Sequence, residues 1–168
     1  MRKIRVERVK QVSQYRHMPQ LSLDTQFGTL TVLASDGAVT GLLWGRRAPE
    51  PDAVTQAAVQ QLAAYDAGDL EEFDLPLRYS GSDLQQAVCA AMMDIPFGDT
   101  CTYGEIAKSV GASAQAVGQA CGGNAIPVIV PCHRVMGAGG KLVGYSGEGG
   151  VETKVKLLRH EGAAGFLI

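Results

Sequence analysis

Long apolar runs are missing from this sequence of 168 residues. No segment approaches the roughly 20 consecutive apolar residues that a membrane-spanning helix requires. The first twenty residues carry six basic side chains but no apolar core segment, so they do not resemble a secretory signal peptide. We therefore expect a cytoplasmic protein with no membrane partner, associated with the nucleoid if its source is bacterial.

Closely spaced metal ligands are also missing. The four cysteines, Cys89, Cys101, Cys121 and Cys132, are separated by 12, 20 and 11 positions. Zinc sites usually pair their cysteines about two to four residues apart, and the three histidines supply no matching pair. We therefore expect neither a metal nor a cofactor, and Cys89, Cys101 and Cys121 are predicted to be structural.

Charge is sparse but unevenly distributed. Hydrophobic residues make up 46% and charged residues 19% of the chain, and the mean hydropathy is +0.03, which is typical of a soluble globular protein. The formal net charge of −2 combines +5 for residues 1–20, −9 for residues 21–100 and +2 for residues 101–168. An anionic partner would meet the first residues or the C-terminal third, although ordinary solvated surface gives the same distribution.

The sequence pattern of the N-terminal half predicts a small sheet with one helix. Residues 1–17 are predicted to be a basic appendage or leader, and residues 18–79 an N-terminal α/β domain. Apolar and polar residues alternate from Leu21 onward, and Asp36-Gly37 is a hairpin signal before a returning strand at residues 39–44. Apolar positions at helical spacing then predict one helix over residues 51–65.

Residues 80–168 are predicted to form a second, mainly helical domain. Ser82 caps a helix that Pro96 stops, and Thr102 and Glu105 form a capping box at the start of the next. Gly111 ends that helix, and a third follows at residues 113–121. Two short helices joined through glycine are typical of a helix-turn-helix, so the predicted fold class is α+β, with the small antiparallel sheet first and the helix-turn-helix in the second domain.

The third helix has very little side-chain bulk. Its sequence is rich in alanine and glycine, so its backbone can come close to a partner surface, and it is badly suited to reading base edges. A transcription factor would need long polar side chains there to read the major groove, and only Gln115 and Gln119 offer any. A helix packed tightly inside the domain would show the same composition.

The strongest chemical signal is a cysteine at the end of an apolar run. Residues 126–130 are β-branched and apolar, predict a buried extended segment, and lead directly into Cys132, His133 and Arg134. A free thiol has a pKa of about 8.5 and is mostly protonated at neutral pH, so a nucleophilic cysteine needs a base. His133 is the candidate base and Glu161 the residue to orient it.

These residues belong to a longer set of motifs. The sequence carries IPFG at residues 95–98, TYGEIA at 102–107, PCHRV at 131–135, GYSG at 144–147 and LLRHEG at 157–162. Together they resemble the O6-alkylguanine-DNA alkyltransferases, also called methylated-DNA–protein-cysteine methyltransferases. The resemblance is dense over residues 84–162, whereas residues 21–80 fit the family only in outline.

The resemblance implies direct repair of DNA. A member of this family would bind duplex DNA containing alkylated guanine through the minor groove, flip the base out and transfer its O6-alkyl group to Cys132, as a monomer and without a cofactor. His133 would deprotonate the thiol through a water, Glu161 would orient His133, and Asn124 would brace the preceding turn. Tyr103 would help to protonate the departing guanine.

The same resemblance assigns two further sets of residues and makes residues 80–168 the DNA-binding and alkyl-transfer domain. The base pocket would be lined by Val135, Tyr145 and Ser146. The DNA contacts would come from Ala114, Gln115, Ala116, Gly118 and Arg134. Because the product is a thioether, which water does not hydrolyse readily, the protein would be consumed in one turnover.

Two features depart from the family pattern. Gln115 stands where the family usually has an arginine that fills the gap left by the flipped base, and glutamine lacks the charge and the stacking plane. The loop at residues 147–153 is about two residues longer than usual, its glycines favour mobility, and it carries Glu148 and Glu152 near the expected base pocket.

Two other functions compete with repair. Alkyltransferase-like proteins bind alkylated DNA without reacting; they replace the nucleophilic cysteine, whereas Cys132 is present, but Gln115 keeps that alternative open. A cysteine hydrolase would need repeated turnover and an oxyanion site, and the sequence marks neither.

Overall fold

The structure, a computed structural model, describes residues 18–163. The predicted appendage at residues 1–17 lies outside the described residues, as do residues 164–168. Within the described range, no helix has both the length and the apolar character needed to cross a membrane.

The N-terminal half contains a three-stranded antiparallel sheet with the strand order β1-β2-β3. The strands are β1 (Gln20–Thr25), β2 (Gly28–Ser35) and β3 (Ala38–Trp44). Asp36 and Gly37 join β2 to β3 with φ angles of 48° and 76°, and two consecutive positive φ angles define the tight hairpin that the sequence predicts. One face of the sheet supplies buried side chains to the core: Leu30, Val32, Val39 and Leu42.

One helix packs against this sheet. Helix α1 (Ala53–Asp66) is capped by Asp52, which forms a capping box with Thr55, and it buries Ala58, Leu62 and Tyr65. The helix predicted over residues 51–65 is therefore confirmed, with both ends shifted by only one or two residues. The chain after α1 meets the edge of β3 through a single bridge between Leu77 and Val39.

The C-terminal half is mainly helical, as predicted. It contains α2 (Asp83–Met93), α3 (Tyr103–Val110) and α4 (Ala114–Gly122), and the hydroxyls of Ser82, Thr102 and Ser113 cap them in turn. Gly111 ends α3 in the left-handed conformation, with φ of 70°. The α+β fold class is confirmed, whereas the use of α3 and α4 as a DNA-binding helix-turn-helix stays a prediction.

The segment at residues 126–130 is buried as predicted but not extended. No residue in it pairs in a strand, and Val128 has a φ of 71°. The chain turns back on itself, with Val130 N–H donating to Ile126 O over 2.9 Å. Asn124 Nδ2 donates to Val130 O over 2.9 Å, and Asn124 Oδ1 accepts from Ile126 N–H over 3.0 Å. The backbone bonds are made locally, so burial needs no neighbouring strand.

Two short strands and a last helix complete the second half. Strand β4 (Cys101–Thr102) pairs in parallel with β5 (Val135–Met136), and α5 (Val151–His160) follows Gly150. Since α5 begins at Val151, the loop predicted over residues 147–153 ends earlier than expected. A single cluster of buried apolar side chains includes residues from both halves, so the core is continuous across the predicted boundary at residue 80.

Candidate active site

Cys132 lies in the wall of a cavity. The residue is 6% exposed and begins a 3₁₀ turn, Cys132–Arg134, directly after the buried turn. The cavity, here called the thiol cavity, has a volume of about 320 Å³. Its lining residues are Tyr103, Gly118, Cys121, Gly122, Cys132, Gly144, Tyr145 and Ser146. Three residues predicted to act on the base, Tyr103, Tyr145 and Ser146, therefore share one cavity with the thiol.

Three residues expected at or near the base pocket are not among those that line this cavity. Val135 does not line it: the residue is fully buried in β5, because it pairs with Cys101 there and its carbonyl oxygen accepts a 2.6 Å hydrogen bond from Lys154 Nζ. Glu148 and Glu152 do not line it either. Glu152 belongs to the first turn of α5, and Glu148 faces a separate groove beside the sheet.

Glu161 collects four hydrogen bonds behind the thiol. Its Oε2 accepts from His133 Nε2 over 2.8 Å, from Tyr65 OH over 2.7 Å and from Arg134 Nη2 over 3.0 Å, and its Oε1 accepts from Arg134 Nε over 2.8 Å. These four side chains are here called the carboxylate cluster. Because His133 Nε2 faces a carboxylate, the proton of the neutral imidazole is assigned to Nε2 and its lone pair to Nδ1.

The cluster fixes the protonation states of its members. Burial alone would raise the pKa of Glu161, but the hydrogen bonds from His133 and Arg134 outweigh it and lower that pKa to about 2. Burial lowers the pKa of His133, although the Glu161 carboxylate opposes this shift. Since Arg134 already neutralises the carboxylate, a protonated His133 would add an uncompensated buried charge. His133 is therefore neutral at neutral pH.

Arg134 is not available to DNA, contrary to its predicted role. It is 6% exposed, and its guanidinium pairs with Glu161 while Nη1 donates to Ile95 O over 2.6 Å. The guanidinium carbon also lies 5.9 Å from the centre of the Phe97 ring. A contact with a phosphate would require this buried ion pair to break, which leaves the carboxylate uncompensated.

The thiol is influenced by opposing effects. Burial raises the pKa of Cys132, whereas the Asn124 amide and the Lys154 ammonium act to lower it. Lys154 is completely buried and donates to three backbone carbonyls, those of Val135, Val143 and Gly144, over 2.6, 2.9 and 3.3 Å. His133 Nδ1 is buried and has no hydrogen-bond partner among residues 18–163. The thiol is therefore neutral at rest, and the imidazole lone pair is uncommitted.

Sequence reasoning missed Lys154 and Tyr65. Lys154 lies on the buried face of α5 with Leu157, Leu158 and Glu161, and a lysine on the apolar stripe of a helix is the signal that could have revealed it. Tyr65 reads as an ordinary core aromatic of α1. Its bond to Glu161 joins residues 96 positions apart, which local patterns do not indicate.

The outer face of α4 is accessible. Ala114 and Gln115 are exposed, Ala116 and Gly118 are partly exposed, and Val117 faces the core. The helix is therefore not packed wholly inside the domain. Gly118 also lines the thiol cavity, and a Cβ added to it would meet no atom within 4 Å. The backbone of α4 thus connects the surface predicted to bind DNA with the thiol cavity.

Comparisons with known proteins agree with this geometry. Residues 83–163 match the family described as "6-O-methylguanine DNA methyltransferase, DNA binding domain". The Mycobacterium tuberculosis methylated-DNA--protein-cysteine methyltransferase is 44% identical over 150 residues, which cover 83% of this chain and 90% of that protein. The Methanosarcina acetivorans protein of the same name is 49% identical over 108 residues, or 63% and 68% of the two chains.

The fold has a close counterpart among solved structures. The crystal structure of Mycobacterium tuberculosis OGT in complex with DNA matches with a TM-score of 0.75 and 45% identity, over 88% of this chain and 96% of that one. Fold and site together define a DNA-repair protein that uses a cysteine nucleophile. Within that class, the chain belongs to the methylated-DNA–protein-cysteine methyltransferase family, whose members resemble it over both halves.

Proposed function

We propose that this chain repairs duplex DNA by moving the alkyl group from O6 of an alkylated guanine to Cys132 Sγ, as a monomer and in a single turnover. The observation that carries the proposal is the position of Cys132 in the wall of a cavity, next to the neutral His133 of the carboxylate cluster. The cavity provides a place for an extrahelical base, because a base inside the duplex is out of reach of the thiol.

The proton of the thiol would pass to His133. The lone pair at Nδ1 takes the proton, through a water, and the imidazolium that forms is stabilised by the Glu161 carboxylate at Nε2. Glu161 remains ionised because its pKa is about 2. Arg134 and Tyr65 hold that carboxylate in place and act as positioning residues.

The thiolate would then attack the alkyl carbon. The new bond is S–C, the bond that breaks is C–O, and its electron pair stays on O6 of the guanine, which takes up one proton. Tyr103 is the candidate donor, since burial raises the pKa of its hydroxyl and keeps it protonated at neutral pH; the proton taken up by His133 then replaces, through water, the one that Tyr103 gives up. The product thioether has no carbonyl carbon for water to attack, so the protein ends alkylated and inactive.

DNA would approach over the exposed face of α4. Ala114, Ala116 and Gly118 allow the backbone of α4 to come close to the minor groove, and Gln115, a long exposed side chain in the first turn, is the one that enters the duplex. Gln115 also favours a second candidate function, a sensor that binds alkylated DNA without reacting. An intact Cys132 in the wall of the thiol cavity, followed in the chain by the buried base His133, argues against that candidate.

Intact-mass measurement distinguishes the two functions. After incubation with duplex DNA containing O6-methylguanine, we expect every active molecule to gain one methyl group, located by peptide mapping on the peptide that contains Cys132. The Cys132→Ser variant is the control and should gain nothing. A protein that binds the duplex but keeps its original mass would be a sensor, and a methyl group on Cys121 instead would overturn the assignment of the nucleophile.

A further inference from the structure

A thin segment of chain separates two cavities. Residues 144–150, here called the pocket loop, contribute Gly144, Tyr145 and Ser146 to the thiol cavity. Ser146 and Gly147 also line a second cavity of about 360 Å³, here called the sheet cavity. Because Ser146 borders both spaces, one wall of the thiol cavity is the pocket loop, with open volume behind it.

The N-terminal sheet forms the far side of the sheet cavity. Residues 40–44 of β3 line it, together with Leu33 of β2, and Asn124, Ala125 and Pro127 line it from the turn before the active cysteine. Gly122, the last residue of α4, also borders both cavities, but α4 packs Val117, Ala120 and Cys121 into the core, whereas no residue of the pocket loop is fully buried. A larger group in the thiol cavity therefore displaces the pocket loop more easily than it displaces α4.

Trp44, the last residue of β3, limits that movement. A Cβ placed on Gly147 would lie 3.0 Å from Trp44 Cζ2 and 2.9 Å from Tyr145 Cζ. Real Cβ atoms are almost never closer than 3.0 Å to such neighbours, so the backbone at Gly147 fits between the two aromatic rings only because it has no side chain. The indole ring supports the pocket loop from the side of the sheet cavity.

The polar atoms at this contact are unpaired. Trp44 Nε1 and Tyr145 OH are two of the three buried side-chain polar atoms that lack a hydrogen-bond partner within residues 18–163. Both belong to the rings that enclose Gly147. No hydrogen bond from either ring fastens the pocket loop in its present position, so packing against Trp44 is the restraint on this side.

We propose that Trp44 is a specificity-determining residue for alkyl transfer: its ring stops the pocket loop from moving into the sheet cavity and thereby limits the size of the O6-alkyl group that reaches Cys132. This inference rests on the proposed function and adds to it the range of substrates. It assigns to a residue of the N-terminal sheet an effect on chemistry in the C-terminal half.

The test compares two substrates on three proteins. Transfer rates are measured on duplexes that carry O6-methylguanine or O6-benzylguanine, for the wild type, Trp44→Ala and Trp44→Phe. In Trp44→Ala the loop can retreat, so we expect the ratio of benzyl to methyl transfer to rise by about tenfold, a typical effect of changing a pocket by a few carbon atoms. Trp44→Phe keeps a ring against Gly147, and its ratio should stay within about twofold of the wild type.

Controls separate this role from a loss of stability. Leu23→Ala truncates an apolar residue of β1 in the same sheet, away from the pocket loop, and should leave the ratio unchanged. Gly147→Ala should slow both transfers, because its Cβ would meet both rings, and adding Trp44→Ala should recover part of that loss. An unchanged ratio in Trp44→Ala overturns the inference. A wild type that transfers neither group overturns the proposed function instead.

A second readout needs no variant. Trp44 is the single tryptophan of the chain, so intrinsic fluorescence at tryptophan wavelengths reports on this contact alone. Transfer of a benzyl group to Cys132 should shift the emission of Trp44 more than transfer of a methyl group, because the loop must move further. Identical spectra for the methylated and the benzylated protein would show that the loop does not press on Trp44 and would contradict the proposal.

Discussion

The two sides of Cys132 differ in how completely their polar atoms are paired. Behind it, Glu161 accepts four hydrogen bonds from three side chains, all of them buried. In front of it, Tyr145 lines the thiol cavity with a hydroxyl that has no partner among residues 18–163, whereas in the carboxylate cluster only the proton acceptor His133 Nδ1 is unpaired. The comparison shows a site in which one side holds the base in a fixed orientation and the other keeps its hydrogen-bonding capacity for a reactant.

The largest expected effect comes from removing the charge of Glu161, which accepts all four hydrogen bonds of the carboxylate cluster. Glu161→Gln replaces a carboxylate with an amide that carries donors of its own, so Arg134 becomes an uncompensated buried charge and His133 loses its acceptor. Removing one partner of a buried ion pair costs about 3–5 kcal/mol, and we expect that loss in the free energy of unfolding measured by urea denaturation. Alkyl transfer by the remaining folded protein should fall by about 100-fold or more.

The matched control for that variant is Tyr65→Phe. It removes one hydrogen bond to an ionised carboxylate and no charge, so a loss of about 1.5–3 kcal/mol is expected, with only a small change in transfer rate. If Tyr65→Phe destabilised the protein as much as Glu161→Gln, the pairing of charges would not be the main contribution of the carboxylate cluster.

Lys154 allows a second test, of how a buried positive charge affects stability and the pKa of Cys132. Lys154→Met keeps the length of the side chain but removes the ammonium that bonds three carbonyls and lowers the pKa of Cys132. We expect a loss of about 1–3 kcal/mol in stability from the unpaired carbonyls and a transfer rate about tenfold lower, as a rise of one unit in the thiol pKa would give. Lys156→Met, on the exposed face of the same helix, should change neither quantity.

The pH dependence of the free energy of unfolding should report the titration of His133 and Glu161. The folded pKa of His133 is below its ordinary 6.5, so the unfolded chain takes up this proton first, and the stability associated with neutral His133 is present above pH 6.5 and is lost as the pH falls below it. Glu161, with a folded pKa of about 2 against 4.5, adds stability that is lost between those two values. Urea unfolding between pH 8 and about pH 2 would measure both effects. In His133→Gln the decline should begin only below about pH 5.

Local signals predicted much of the fold. Ser82, Thr102 and Glu105 mark helix starts because a capping side chain bonds to backbone within three residues, and Asp36-Gly37 marks the hairpin because its backbone needs two positive φ angles. The segment at residues 126–130 shows the limit of such signals. Its apolar character predicted burial, but whether a buried segment pairs in a strand or turns on itself depends on neighbours that a local pattern does not name.

The candidate site likewise contains contacts that the sequence predicted and contacts that it did not. The motif around Cys132 placed His133 and Glu161 in one site, and the structure brings them within 2.8 Å. Arg134, expected at the DNA, is instead held by Glu161, 27 positions away in the chain, and Tyr65 joins the same carboxylate from a helix of the N-terminal half. Partners this distant are selected by packing of the whole fold, so the residue types alone did not predict them.

The smallest expected effect concerns the open side, where DNA would approach. Gln115 is exposed near the start of α4, so Gln115→Arg adds a positive charge and a flat guanidinium to that surface without disturbing buried contacts. We expect binding of duplex DNA to tighten severalfold at low salt, with the slope of log affinity against log salt steeper by about one unit, and transfer from O6-methylguanine to become faster by a similar factor. Gln119→Arg, on the same helix, is the matched control for charge alone. If both variants tightened binding equally and neither accelerated transfer, position 115 would contribute electrostatic attraction only, and the space left by an extrahelical base would be filled by another residue.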